Sequence, residues 1–199
     1  VLAFLASSTL CPAANDGFRI SSQFIVPGDN ESWDDAVGLE AQYVVWATPN
    51  LGLALAAGIG SWRVTDDVLA GYDPDTDVAA VVSADGSALA VPFGGSVLFR
   101  PAMDGPARVT FEAGLRYVFV DSGVDIEAAV YDGSDTVYIT DNVDFDDGVI
   151  GLISADVSFP ISPKLDFGFG AGYQVDIMKG DVYWMGERIG ENEMKGFFL

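Results

Sequence analysis

The side chains able to do chemistry in this chain are its acids and a handful of arginines. Its 199 residues include no histidine and one cysteine, Cys11. Ser–His and Asp–His hydrolytic schemes, a Cys–His zinc site and an internal disulfide are therefore excluded. The remaining acid–base candidates are Glu40 and Glu112, two carboxylates that share a strand phase with Arg100 and Arg116. Two carboxylates can divide the work of acid and base. Matched by two arginines, however, they read as a structural cluster, because buried charge needs an opposite partner. No residue is assigned a catalytic role, no cofactor is expected, and the chain reads as a non-enzyme.

The other acids offer a different chemistry, cation binding. Asp73-Pro74-Asp75-Thr76-Asp77 opens like an EF-hand loop, but Val78 stands where that loop requires glycine and Ala84 where it ends in glutamate. Asp141 to Asp147 has no better spacing, so no metal site is assigned and the acids read as a solvated surface. The balance of 30 acids to 9 bases, a formal charge of −21, excludes a nucleic-acid partner, which would need clustered Lys and Arg.

The elements that position these residues are strands. No stretch approaches the roughly 20 apolar residues of a spanning helix. Instead, period-two alternation runs through residues 18–26, 37–47, 51–62, 88–100, 107–119, 148–159 and 165–177, and an eighth segment begins near Glu193 and is cut at Leu199. The connections run about 10, 3, 25, 6, 28, 5 and 15 residues, long and short in strict alternation, as in an up-and-down barrel with turns at one end and loops at the other. The short ones, Thr48-Pro49-Asn50, 101–106 and 160–164, are rich in turn formers. The third long loop is expected to carry a hairpin, residues 124–131 and 136–141 about Asp132-Gly133. Pro92 alone of nine prolines falls inside a strand; it implies pairing from Phe93 onward, or a bulge. Residues 1–14 read as a partial signal peptide, an apolar run from Val1 followed by Pro12-Ala13-Ala14, and residues 15–199 as the barrel domain.

Which phase of each strand faces inward follows from size. Phe167, Phe169 and Tyr173 alternate with Asp166, Gly168, Gly170 and Gly172; Phe111, Leu115 and Tyr117 alternate with Glu112, Gly114 and Arg116; Val37, Leu39 and Tyr43 alternate with Gly38, Glu40 and Gln42. Turned inward, the bulky phase would overfill an eight-stranded barrel, whose interior is only just wide enough for side chains. Val37, Leu39, Tyr43, Phe111, Leu115, Tyr117, Phe167, Phe169 and Tyr173 are therefore expected to face lipid. Arg19, Glu40, Arg100, Arg108, Glu112, Arg116, Asp156, Asp166, Asp176 and Lys195 are expected in the lumen, with Glu40, Arg100, Glu112 and Arg116 forming a plug. Trp46 and Trp62 fall on the inner phase. Of the 30 acids, 22 lie in the four long connections.

The stretches Ala47-Thr48-Pro49-Asn50-Leu51-Gly52-Leu53, Phe111-Glu112-Ala113-Gly114-Leu115-Arg116-Tyr117 and Ser162 through Tyr173 resemble the outer-membrane β-barrel family that includes the OmpA-type transmembrane domain, OmpX and OmpW. The resemblance spans the chain after the signal segment. It implies an all-β fold: an eight-stranded antiparallel up-and-down transmembrane β-barrel, here with its last strand truncated. It further implies a monomer in the bacterial outer membrane, in contact with lipid and lipopolysaccharide, with a structural, surface-interaction or minor permeability role. The acidic loops are a place for a surface partner, or for divalent bridges to lipopolysaccharide. Two alternatives stand beside this: a narrow channel for small or hydrophobic solutes, as OmpW-like resemblance suggests, and a secreted lipocalin-like barrel binding an apolar ligand.

Overall fold

A computed structural model describes residues 9–11, 17–27, 33–64, 69–73, 78–131, 135–162, 165–192 and 194–198. Among them every regular element is a strand: β1 (Thr9–Cys11), β2 (Gly17–Pro27), β3 (Trp33–Trp46), β4 (Leu51–Val64), β5 (Leu69–Asp73), β6 (Val78–Phe99), β7 (Arg108–Tyr131), β8 (Thr136–Phe145), β9 (Gly148–Ser162), β10 (Leu165–Met178), β11 (Gly180–Trp184), β12 (Glu187–Asn192) and β13 (Gly196–Phe198). Antiparallel pairing runs β2-β3-β4-β6-β7-β9-β10, and β13 and β1 both pair with β10 and β2. The result is a closed eight-stranded barrel whose eighth position is shared by two short strands.

The register fixes the shape of that ring. Starting at Gly17, the paired positions run through Val44, Ala54, Ser96, Gly114, Leu152, Gln174 and Gly196, and return to β2 at Pro27. One circuit thus climbs from residue 17 to residue 27, a shear of 10. Eight strands with that stagger tilt by about 40° and enclose a backbone cylinder of about 8 Å radius.

The seven strands expected from alternation form the ring, with three departures. First, β6 and β7 overrun it: their mutual ladder continues to Ala79↔Tyr131, so the expected hairpin strand at 124–131 is the upper part of β7, paired to β8 from Asp125↔Asn142 to Tyr131↔Thr136. With β5, β11 and β12 they form a sheet that stands beyond the ring. Second, Pro92 neither starts the strand nor makes a bulge. The β4–β6 register is the same on either side of it, at Ala57↔Phe93 and Gly60↔Ala90, and only the intervening positions go unpaired. Gly58 makes room, since a Cβ there would lie 3.1 Å from the Pro92 ring. Third, the eighth strand starts at Gly196 rather than near Glu193. Of residues 1–14, only 9–11 are among those described, as β1.

Burial separates the two phases. Leu55, Leu115 and Ile153 on the outer wall are 71%, 57% and 62% exposed, whereas Glu40, Glu112 and Arg116 inside are 5%, 5% and 1% exposed. From Phe18 to Val26, Val37 to Val45, Leu51 to Ser61, Leu89 to Phe99, Val109 to Phe119, Val149 to Ile161 and Leu165 to Ile177, no outward position carries a charge. Along β10 that wall is about 30 Å tall, at ~3.3 Å per residue and ~40° tilt.

Candidate functional site

Two surfaces carry the functional information, the filled lumen and the apolar wall. Three ladders bring the lumen charges together. Glu40 reaches Arg116 only across β3, β4, β6 and β7, through the paired positions Glu40↔Gly58 and Gly94↔Arg116. Gly94 is required at that crossing, because a Cβ there would run into the Leu115 backbone. Within β7, Glu112 and Arg116 face the same side because four is an even step on a strand.

Arg116 is the hub. Its Nε donates to Glu40 Oε2 at 2.8 Å, and its Nη2 donates to Glu40 Oε1 at 3.2 Å and Glu112 Oε1 at 3.1 Å. Its Nη1 donates to Ser96 Oγ at 2.9 Å and to the Gly95 and Leu115 carbonyls, each at 3.2 Å. Ser96 Oγ donates onward to Glu112 Oε1 at 2.6 Å, and Gln42 Nε2 donates to Glu40 Oε1 at 2.8 Å and Glu112 Oε1 at 3.0 Å. Nearer the turn end, Arg19 bridges Glu112 Oε2 at 3.4 Å and Asp156 Oδ2 at 2.7 Å. Lower still, Arg108 Nη1 meets Asp166 Oδ2 at 2.6 Å.

The expected cluster of four is therefore composed differently. Glu40, Glu112 and Arg116 meet, but Arg100 stands one layer lower, its guanidinium 4.1 Å from the Trp46 ring centre and its Nε 3.4 Å from Thr110 Oγ1. Arg19, Gln42 and Ser96 complete the cluster. Gln42 and Ser96 carried one sequence signal, a polar side chain on the inner phase among charged neighbours. Asp176 lies at the loop end, where its Oδ1 accepts the Met194 N–H at 2.9 Å while Gln174 Nε2 donates to the Met194 carbonyl. Lys195 precedes β13, half-buried between the buried Met194 and Gly196. The four inward arginines and five inward carboxylates leave the lumen one charge short of neutrality, against −21 for the chain.

Above the charged cluster an apolar layer closes the bore: Ile25, Ala36, Trp62, Ala88, Ala90, Val118, Ile150 and Met194, all buried. Among the described residues, cavities of about 50, 30 and 20 Å³ lie between these layers, the first of them beside Trp62, Pro92, Arg116 and Met194. Each has room for at most a few waters.

The outer aromatics fall in two groups once the stagger is counted. Phe18, Tyr43, Phe99, Phe111, Phe159, Phe167 and Phe169 lie toward the turn end, and Phe24, Phe93, Tyr117, Phe119, Tyr173 and Phe197 toward the loop end. Each belt has internal ring contacts, Phe18 with Tyr43 at 5.2 Å in one and Tyr117 with Phe119 at 4.9 Å in the other. The level between them holds Ala41, Ala57, Gly95, Ala113, Leu115, Ile153 and Ala171. Of the residues expected to face lipid, Val37, Leu39, Tyr43, Phe111, Leu115, Phe167 and Phe169 are exposed on this wall. Tyr173 is half-buried against Phe197, and Tyr117 is half-buried with its hydroxyl donating to Asp147 Oδ2 at 2.9 Å.

Residues 74–77 of the EF-hand-like segment lie outside the described residues; among those described, no three acidic or cysteine side chains group as a metal site. Compared with known proteins, the chain matches no family model, and no curated protein matches it.

Proposed function

We propose that this chain is an integral barrel of the bacterial outer membrane, monomeric, with a structural or surface-interaction role. One observation carries the reading. A charge-free apolar wall about 30 Å tall, edged by two aromatic belts, surrounds a core of ion pairs, the inverse of a water-soluble barrel. Hydrocarbon accounts for that wall; in water it would be one continuous exposed apolar patch far beyond the few hundred Å² that soluble monomers carry. The sheet that β5, β8, β11 and β12 add to β6 and β7 stands beyond the ring at the loop end and supports a surface role. A soluble ligand-binding barrel needs an apolar cavity of roughly 300–1,000 Å³, whereas the lumen cavities described above, among the described residues, are about 50, 30 and 20 Å³.

The test is fractionation. Expressed in a diderm bacterium, the protein is expected in the outer membrane, resistant to urea washing and released only by detergent. Its boiled and unboiled forms should migrate differently on a denaturing gel. Release into the soluble fraction without detergent overturns the assignment.

A further inference from the structure

The apolar layer that closes the bore is built from ring strands with one exception. Ile25 stands on β2, Ala36 on β3, Trp62 on β4, Ala88 and Ala90 on β6, Val118 on β7 and Ile150 on β9. Ladder pairs hold them in place. Ala36 is opposite both Ile25 and Trp62, Trp62 is also opposite Ala88, and Ile150 is opposite both Arg116 and Asp176. Met194, 3% exposed in the same layer, lies between the end of β12 at Asn192 and the start of β13 at Gly196. Among the described residues no ladder pair includes it.

Side chains of β10 hold it instead. Counting on from Gln174↔Gly196, the position opposite Met194 is Asp176. There Asp176 Oδ1 accepts the Met194 N–H at 2.9 Å, and Gln174 Nε2 donates to the Met194 carbonyl. β10 thus adds no apolar side chain to the buried layer. It supplies an acceptor and a donor that clasp the main chain of the residue filling the place. The side chain also has its own seat: a Cβ at Gly148, the first residue of β9, would lie 2.9 Å from the Met194 methyl. A residue held by two such bonds opens locally at far lower cost than a position inside a ladder, where neighbouring pairs must break with it.

We propose that Met194 is a clasped lid over the loop end of the lumen, held shut by Gln174 and Asp176 and able to swing out while the ring stays closed. Beneath it lies the cavity of about 50 Å³ that Met194 lines together with Trp62, Pro92, Glu40 and Arg116. With the clasp broken, that cavity joins the space the side chain leaves, and water and small polar solutes reach Glu40 and Arg116 from the loop end. The Arg116 network still crosses the bore below, so the open state is a chamber and not a channel. An unbranched side chain with three rotatable bonds suits a part that leaves and returns. The lid works in the same way whether lipid or water surrounds the wall.

Thiol labelling tests it. In a Cys11→Ser background, Met194→Cys is treated with a small water-soluble maleimide on the folded protein in micelles. The control is Leu98→Cys, 1% exposed and ladder-held on β6. The thiol of Met194→Cys is expected to react about tenfold faster than the control, or more. Adding Gln174→Leu removes one clasp bond and should speed it about fivefold further, the weight of one ordinary hydrogen bond, while leaving Leu98→Cys unchanged. Because cysteine is smaller than methionine, amide exchange checks the native side chain. The Met194 amide should exchange about tenfold faster than those of Trp62 and Ile150 in the same layer, and Gly148→Ala should speed it again by crowding the methyl. A labelling rate equal to the control, a rate that Gln174→Leu leaves unchanged, or a Met194 amide as protected as those of Trp62 and Ile150 each overturns the proposal.

Discussion

Replacing Arg116 with methionine isolates the lumen hub. The side chain is 1% exposed and donates to both oxygens of Glu40, one of Glu112, Ser96 and two carbonyls. Methionine keeps most of the bulk, so the loss is electrostatic rather than a cavity. Taking one partner from a buried ion pair costs about 3–5 kcal/mol, since the other charge stays desolvated. Here two carboxylates are stranded, but Arg19 still lies 3.4 Å from Glu112 and Gln42 still donates to both. Glu40 thus carries most of the penalty, and the expected loss is about 3 kcal/mol, the low end of that range. The assay is reversible urea unfolding in detergent micelles, followed through Trp46 and Trp62, which line the bore. The triple variant Glu40→Gln, Glu112→Gln, Arg116→Met removes charge from all three and should lose less than Arg116→Met alone. The reasoning fails if Arg116→Met falls within about 0.5 kcal/mol of the parent, the range of an ordinary surface change. It also fails if the triple variant is the sum of the single variants, because contacting residues in one network should couple.

Leu115→Arg tests the wall. Leu115 is 57% exposed at mid-height, so in lipid vesicles the change should cost about 2–4 kcal/mol of folding free energy; near-zero cost would mean water outside. In planar bilayers the parent protein should give no steady ion-conducting steps, because the charged cluster and the layer around Trp62 and Met194 both cross the bore; steady steps would show that these layers open. On the β11–β12 hairpin, partial burial, then Asp146, Asp181 and a hydrogen bond to Asp181, raise the Tyr183 phenol above its usual value against the opposing pull of Arg188. The folded state therefore favours the neutral phenol. That preference is intact below the unfolded value of about 10 and is lost as pH rises through the folded value. The absorbance change that Tyr183→Phe removes should have its midpoint above pH 10, and a midpoint at or below the ordinary value would contradict the packing.

How much of this was readable in advance depended on whether a feature needed only one strand or the whole ring. Which way Phe111 and Glu112 face follows from period-two alternation and size alone. Height in the bore does not, because it depends on stagger summed over several ladders. Glu40, Arg100 and Arg116 share a phase, but the shear of 10 lifts Arg116 to Glu40 and leaves Arg100 beside Trp46. The upper part of β7 was hidden for another reason. Beyond Phe119 the outward positions turn to Asp121, Asp125 and Glu127, so the apolar phase that marks a strand in the wall ends while the backbone ladder runs on.

The separation of charge also dictates how this barrel can enter a bilayer. Of 30 acids, 22 belong to the four long sequence segments between wall strands, while the three short connections at the opposite rim hold one, Asp104. Drawing the acidic rim through hydrocarbon would mean desolvating that charge, whereas the hairpins at 47–50 and 101–107 carry one acid, Asp104, and no basic residue between them. Were the ring to insert from a membrane surface with the acidic rim trailing, only the low-charge rim would pass through the barrier, and that is the cheaper route. The heavily charged rim would stay in water only if it never had to cross, so the topology admits one vectorial route from each face and distinguishes them by cost.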